Sequence, residues 1–148
     1  MSRIQSAMIV LAVIGLIVSI YLVLVHYTSV PLVCSDTGLI NCGSVLNSSY
    51  AYLLGIPIAV YGVVFFVVEL VVLWLTSAKF KGRDGNDMRM IYNALGLAFV
   101  VYLLYAEYMV GHICIYCTTV HVVVVLLFIL SLVMVLRKPS YYAAPNPY

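Results

Sequence analysis

Four runs of about twenty mostly apolar residues recur along this chain, about Ala7–Val25, Leu53–Thr76, Ile91–Val110 and Ile113–Leu136. Each is long enough to cross the hydrocarbon core of a bilayer. Inside lipid a backbone has no water to bond, so each run is expected as a helix that closes its own hydrogen bonds. With 66% hydrophobic and 8% charged residues, the chain lies far from the usage of soluble domains, roughly half apolar and a quarter charged. Little sequence remains for a soluble domain. The expected fold is an all-α membrane protein: a four-transmembrane-helix bundle, one integral membrane domain over residues 1–148. An ordered loop is expected between spans one and two, with a tail over residues 137–148.

The basic residues orient the bundle, because lysine and arginine collect on the cytoplasmic side. Arg3 precedes span one; Lys79, Lys81, Arg83 and Arg89 fall between spans two and three; Arg137 and Lys138 follow span four. Four crossings put all seven on one side. Both termini are thus expected in the cytoplasm, with the chain in the plasma membrane. The first span is expected to stay as an anchor, since it is longer than a secretory h-region and no small-residue cleavage pattern follows it. The net charge of +2 is accounted for by topology and implies no nucleic-acid partner.

The other side holds the segment from about His26 to Tyr52 and a short turn near Gly111–His112. It therefore carries all four cysteines, Cys34, Cys42, Cys114 and Cys117, in the compartment that is normally oxidising. Local signals suggest that the first of these segments is ordered. Asp36-Thr37-Gly38 reads as a turn. Asn41 is a candidate N-cap, and Val45 and Leu46, at i+3 and i+4 from Cys42, suit a short helix lying on the bundle. Gly55-Ile56-Pro57 suits the opening of span two, where proline is tolerated. Tyr50 and Tyr52 suit one interface and Trp74 the other. Gly15 and Ser19 make a small-residue pair that admits a close helix neighbour, and the stretch Lys79–Asp87 reads as a solvated loop capping span three.

On a helix, Cys114 and Cys117 share one face, and His121 continues it one turn deeper. The positive end of a helix dipole and a Cys-x-x-Cys spacing both favour thiolate over thiol. A reactive pair at the mouth of a span can meet water on one side and a lipid-soluble oxidant on the other. Exchange needs a second pair to pass a disulfide along, and Cys34 and Cys42 supply it. Two other readings stand beside this one. The cysteines would be structural disulfides or small buried apolar groups in a non-enzymatic scaffold, or they would bind zinc, although zinc sites usually show two close pairs.

The chain resembles the vitamin K epoxide reductase family and its prokaryotic homologues over nearly its whole length. The resemblance rests on Cys34-x7-Cys42, on Ser48 six residues further on, on Gly-Ile-Pro before span two, and on Cys114-Ile-Tyr-Cys117 at span four. The other membrane quinone–disulfide family, the DsbB type, places its Cys-x-x-Cys in the first outer loop, the reverse order. The resemblance implies a quinone-dependent thiol–disulfide oxidoreductase. Cys34 and Cys42 would be the shuttle pair serving a thioredoxin-like partner on the outer side. Cys42 would exchange with Cys114, and Cys117 would face a quinone such as ubiquinone, menaquinone or a relative. Ser48 matches the family's loop serine and would bind the quinone or cap the loop. His121 stands where vertebrate members have a quinone-contacting tyrosine, so an imidazole is the expected contact here. Ile58 falls near the position of the vertebrate asparagine in span two, which argues against the alternative of vitamin K epoxide reduction. Many prokaryotic members carry a fused thioredoxin domain; within these 148 residues none is found, and a separate partner protein is expected.

Glu69 and Glu107 are the charged side chains expected inside the spans, where such groups are functional candidates by default. Glu69 falls far from the cysteines and suits a structural or snorkelling role. Glu107, with Tyr105, Tyr108 and His112 around it, suits an interfacial position or a proton relay. His26 and His112 suit interfacial polarity.

Overall fold

The computed structural model of the chain describes residues 3–28, 31–34, 37–78 and 83–137. Asp36 of the expected turn, Lys79 and Lys81 of the expected loop, and the tail from Lys138 onward lie outside the described residues. Four long helices carry the fold: α1 (Arg3–Tyr27), α3 (Ile58–Ala78), α4 (Arg83–Val110) and α5 (Ile115–Leu136). A short α2 (Cys42–Leu46) and a two-stranded hairpin lie between α1 and α3. At 1.5 Å per residue the long helices measure about 30 to 40 Å, and all four are long and apolar enough to cross a membrane. The chain is an all-α, multi-pass membrane bundle. Each long helix packs on the next in sequence, and α1 closes onto α5, which makes a ring.

The approach of α1 to α3 depends on small residues. A Cβ on Gly15 would stand 2.2 Å from the tip of the Phe66 ring, and a Cβ on Gly62 would stand 2.8 Å from the Ser19 hydroxyl. Without side chains at these two glycines the backbones come close enough to bury Phe66 and Ser19 almost completely. Dispersion and close fit drive such contacts in lipid, where burial of apolar surface gains little. Met8, Ala12, Leu73, Val100, Val123, Val124 and Leu127 belong to the same core as Phe66.

The starts of spans two and three differ most from expectation. Span two begins at Ile58 instead of Leu53, because the preceding residues fold back as a hairpin. Tyr52–Leu53 (β1) pairs antiparallel with Ile56–Pro57 (β2), Tyr52 opposite Pro57. The turn residues Leu54 and Gly55 have φ of 54° and 79°, the left-handed pair that tight two-residue hairpin loops require. Pro57 therefore ends a strand and sits one residue ahead of the helix.

Span three begins at Arg83 instead of Ile91, so the expected loop residues Gly85, Asn86 and Asp87 are helical. Two polar side chains of this stretch find partners on other helices. Asn86 donates to the Met134 carbonyl at 3.2 Å, and Arg89 donates to the Thr76 hydroxyl and towards the Met134 sulfur. Arg89, expected between spans, is in fact buried at 3% exposure. Glu69 does not snorkel either. It is fully buried, with Oε1 accepting from Asn93 Nδ2 at 3.2 Å, and the same Nδ2 donates to the Ser131 hydroxyl at 3.1 Å. Three helices are thus joined at this depth by one polar cluster, as buried polar groups in a bundle demand.

Arg3, Arg83 and Arg137 all fall at the end of the ring opposite the cysteines. The cysteine end carries α2, the hairpin and the α4–α5 turn, where Gly111 adopts φ of 73° and reverses the chain in a conformation that favours glycine.

Candidate functional site

The segment between α1 and α3 is tied to the α4–α5 turn by backbone hydrogen bonds. Ile113 N–H donates to the Leu39 carbonyl at 2.8 Å, and Asn41 N–H donates to the Ile113 carbonyl at 3.2 Å. Ile40 and Ile113 form a parallel bridge, beyond which Cys114 follows by one residue on one segment and Cys42 by two on the other. The expected tight turn appears as a Thr37–Ile40 bridge around Gly38, whose φ is 60°. Asn41 then caps α2, its side-chain oxygen accepting from Ser44 N–H at 2.8 Å, which is the expected short helix with Cys42 as its first residue.

Cys34 and Cys42 are joined by a disulfide with a Cα–Cα distance of 6.2 Å. Cys34 is half-buried, whereas Cys42 is fully enclosed. Cys114 and Cys117 are free thiols. Cys114 stands just before the helix instead of on its face. It is the N-cap of α5, and its sulfur accepts from Cys117 N–H at 3.4 Å. The orphan donors of a first helical turn are thereby turned onto a sulfur. The hydrogen bond from the Cys117 thiol, supported by the N–H groups of Cys117 and Tyr116, holds the Cys114 thiol below its ordinary value in spite of burial. Glu107, at 8% exposure, fixes the same residue from α4: its Oε1 accepts from Cys114 N–H at 3.4 Å.

Below the cysteines lies a cavity of about 340 Å³ bounded by all four long helices, within the usual size of small-molecule pockets. Its walls are mainly apolar, with Leu22, Phe65, Phe66, Phe99, Val100 and Val124 among them. Cys117 opens onto it, as do Glu107, His121 and Ser48. His121 is buried to 4% exposure, and both ring nitrogens lack a hydrogen-bond partner. An imidazole without a partner costs free energy unless something in the cavity bonds it. The Ser48 hydroxyl donates to the Val45 carbonyl at 2.8 Å, so its proton closes α2 while its oxygen still borders the cavity. A flat ring with polar oxygens at its rim fits these walls and the free imidazole.

Cys34, Cys42, Cys114, Cys117, Ser48 and His121 thus gather at one end of the bundle, with Cys117, Ser48 and His121 on the cavity wall. The sequence reading did not find Tyr21 and Tyr116. Tyr116 lies inside the Cys-x-x-Cys, and its hydroxyl donates to the carbonyl of Val33, next to Cys34. The only trace of this in the sequence is an aromatic residue between two reactive cysteines. The link from Glu107 to Cys114 was equally invisible, because it spans a chain reversal.

Compared with known proteins, residues 6–132 match the model of a family described as the Vitamin K epoxide reductase family. No curated protein matches the chain.

Proposed function

We propose that this chain, which belongs to the vitamin K epoxide reductase family, is a membrane thiol–quinone oxidoreductase that generates disulfides in a thioredoxin-like partner. Family members are oxidoreductases, and the chain is a multi-pass membrane protein. The observation that carries the finer reading is the placing of two cysteine pairs at one end of the bundle, beside a cavity. A closed Cys34–Cys42 pair lies on the segment that the Ile40–Ile113 bridge ties to the approach to Cys114, and Cys117 borders an apolar cavity that also holds an unpartnered imidazole.

In the proposed relay a partner thiolate attacks Cys34, the more accessible sulfur, and Cys42 leaves as thiolate. The partner's second thiolate then displaces Cys34. The partner ends as a disulfide, and Cys34 and Cys42 end as thiols. Cys42 next attacks Cys114 in an oxidised Cys114–Cys117 pair, Cys117 leaves, and Cys34 resolves the mixed disulfide. Two electrons and two protons have now moved inward. The combination present here, Cys34–Cys42 closed and Cys114 and Cys117 free, corresponds to the product of that exchange. A bound quinone supplies the sink for two electrons and two protons. Cys117 faces that sink, Cys114 closes the disulfide behind it, and a His121 ring N–H is available to bond a carbonyl oxygen. The hydrogen bond from the Cys117 thiol, with the N–H groups of Cys117 and Tyr116, shifts the Cys114 thiol below its ordinary value, the direction that favours an attacking or leaving sulfur.

The basic residues at the far end support a cytoplasmic location for both termini and an outer location for the cysteines. The test is purified protein with a reduced thioredoxin-like dithiol and a soluble quinone. Two thiols should be consumed for each quinone reduced, Cys117→Ala should lose quinone reduction, and Cys34→Ala should lose transfer from the partner. Full quinone-dependent turnover by Cys117→Ala would falsify the assignment of that sulfur, and labelling of Cys34 from the cytoplasmic side would overturn the orientation.

A further inference from the structure

A contact that involves no sulfur joins the two cysteine pairs. The segment Pro31–Cys34 lies in neither helix nor strand, and a bond from Cys34 N–H to the Leu32 carbonyl at 3.1 Å is its local support. Tyr21, near the end of α1, donates its hydroxyl proton to the Pro31 carbonyl at 3.3 Å and accepts from Val33 N–H at 3.3 Å. Tyr116, on the first turn of α5, donates to the Val33 carbonyl. The two rings touch at 5.0 Å with a 53° tilt. Both main-chain polar groups of Val33 are thus held by hydroxyls from two different helices. Its side chain, 73% exposed, contributes little to the hold.

We propose that Tyr21 and Tyr116 are positioning residues that clamp Val33 so that Cys34 stays beside Cys42 when their disulfide is open. The proposal rests on the relay reading, in which this pair opens and closes at every turnover. Opening the disulfide removes the covalent tie on Cys34, and the segment carrying it gains freedom that must be lost again for closure. Holding Val33 at both its N–H and its C=O removes most of that freedom in advance. The clamp therefore raises the effective concentration of one thiol at the other, as any preset geometry does. Its anchors belong to the α1 and α5 walls of the bundle, and Cys114 caps the same α5.

The test uses the full chain in detergent carrying Cys114→Ser and Cys117→Ser, equilibrated in glutathione redox buffers, with the Cys34–Cys42 disulfide scored by alkylation and mass spectrometry. Tyr21→Phe and Tyr116→Phe each remove one hydroxyl and keep the ring. Each should make the disulfide easier to reduce, by about two- to tenfold for each net hydrogen bond lost, of which Tyr21 makes two and Tyr116 one; tenfold corresponds to about 30 mV. The double variant should fall short of the product of the two, because both hydroxyls act through one residue. Any other pattern overturns the clamp: no shift, a shift in Tyr116→Phe alone, a shift towards easier oxidation, or full multiplicativity. No quinone enters this measurement. A wild-type chain that fails to reduce quinone would sink the relay reading and leave this equilibrium as measured.

Discussion

Substituting Gly15 with alanine tests how tightly the cavity wall is held. The added Cβ would stand 2.2, 2.4 and 2.7 Å from three atoms of the Phe66 ring, which is fully buried. Ordinary carbon–carbon contact needs about 3.5 to 4.0 Å, so the ring or the helix must retreat by more than 1 Å, on the order of the contact deficit. Overpacking of this kind costs about 1–3 kcal/mol, and the retreat has a direction. Phe66 also lines the cavity, so a ring pushed from α1 enters the space assigned to the quinone. Thermal unfolding in detergent should show the loss of stability, and quinone saturation curves should show a raised KM. Phe66→Leu, which removes the ring edge facing Gly15, should restore most of the stability in the double variant, giving a coupling well outside the additive range. If Gly15→Ala keeps the stability of the parent, or if the two substitutions simply add, the close approach of α1 to α3 is not set by this glycine.

Three further outcomes follow from other parts of the molecule. In the reduced protein the Cys114 thiol titrates below its ordinary 9.0, so thiolate absorbance assigned by difference against Cys114→Ser should rise with pH through a midpoint below that value. Because the Cys117 thiol is the leading cause, Cys117→Ala should move the midpoint upward, and an unmoved midpoint would refute that cause. Asn93→Leu removes donor bonds to Glu69, Ser131 and the Arg89 carbonyl and should destabilise the bundle by about 1–3 kcal/mol in chemical or thermal unfolding; a neutral result would mean that the polar cluster carries no net stability. Gly111→Ala places a Cβ at a φ of 73° and should cost about 1 kcal/mol by the same assay, with Cys114 displaced enough to slow quinone reduction.

The long apolar runs made the fold legible, because lipid leaves a backbone few choices. The ends of the runs were harder to read. Hydropathy carried span two back to Leu53, yet Leu54 and Gly55 take left-handed conformations that no apolar count reveals. It stopped span three at Ile91 because Asn86, Asp87 and Arg89 look like loop residues, and whether a polar residue belongs in a bundle depends on a partner elsewhere in the chain. Thr76 and Met134 are those partners for Arg89. The cysteines and His121 could be picked out because their chemistry is unusual for a membrane span. Tyr21, Tyr116 and the link from Glu107 to Cys114 could not, since each is an ordinary residue given a task by its neighbour across the fold. The tilt of Cys114 off the helix face escaped for a related reason. Helical periodicity describes residues inside a helix, and Cys114 stands one step before its start.

The strip of backbone bonds that fastens Leu39–Asn41 to Ile113 uses no side-chain atoms. The exposed residues Val33 and Leu39, at 73% and 71% exposure, are therefore free to drift in evolution, while the backbone ties beneath them keep their alignment.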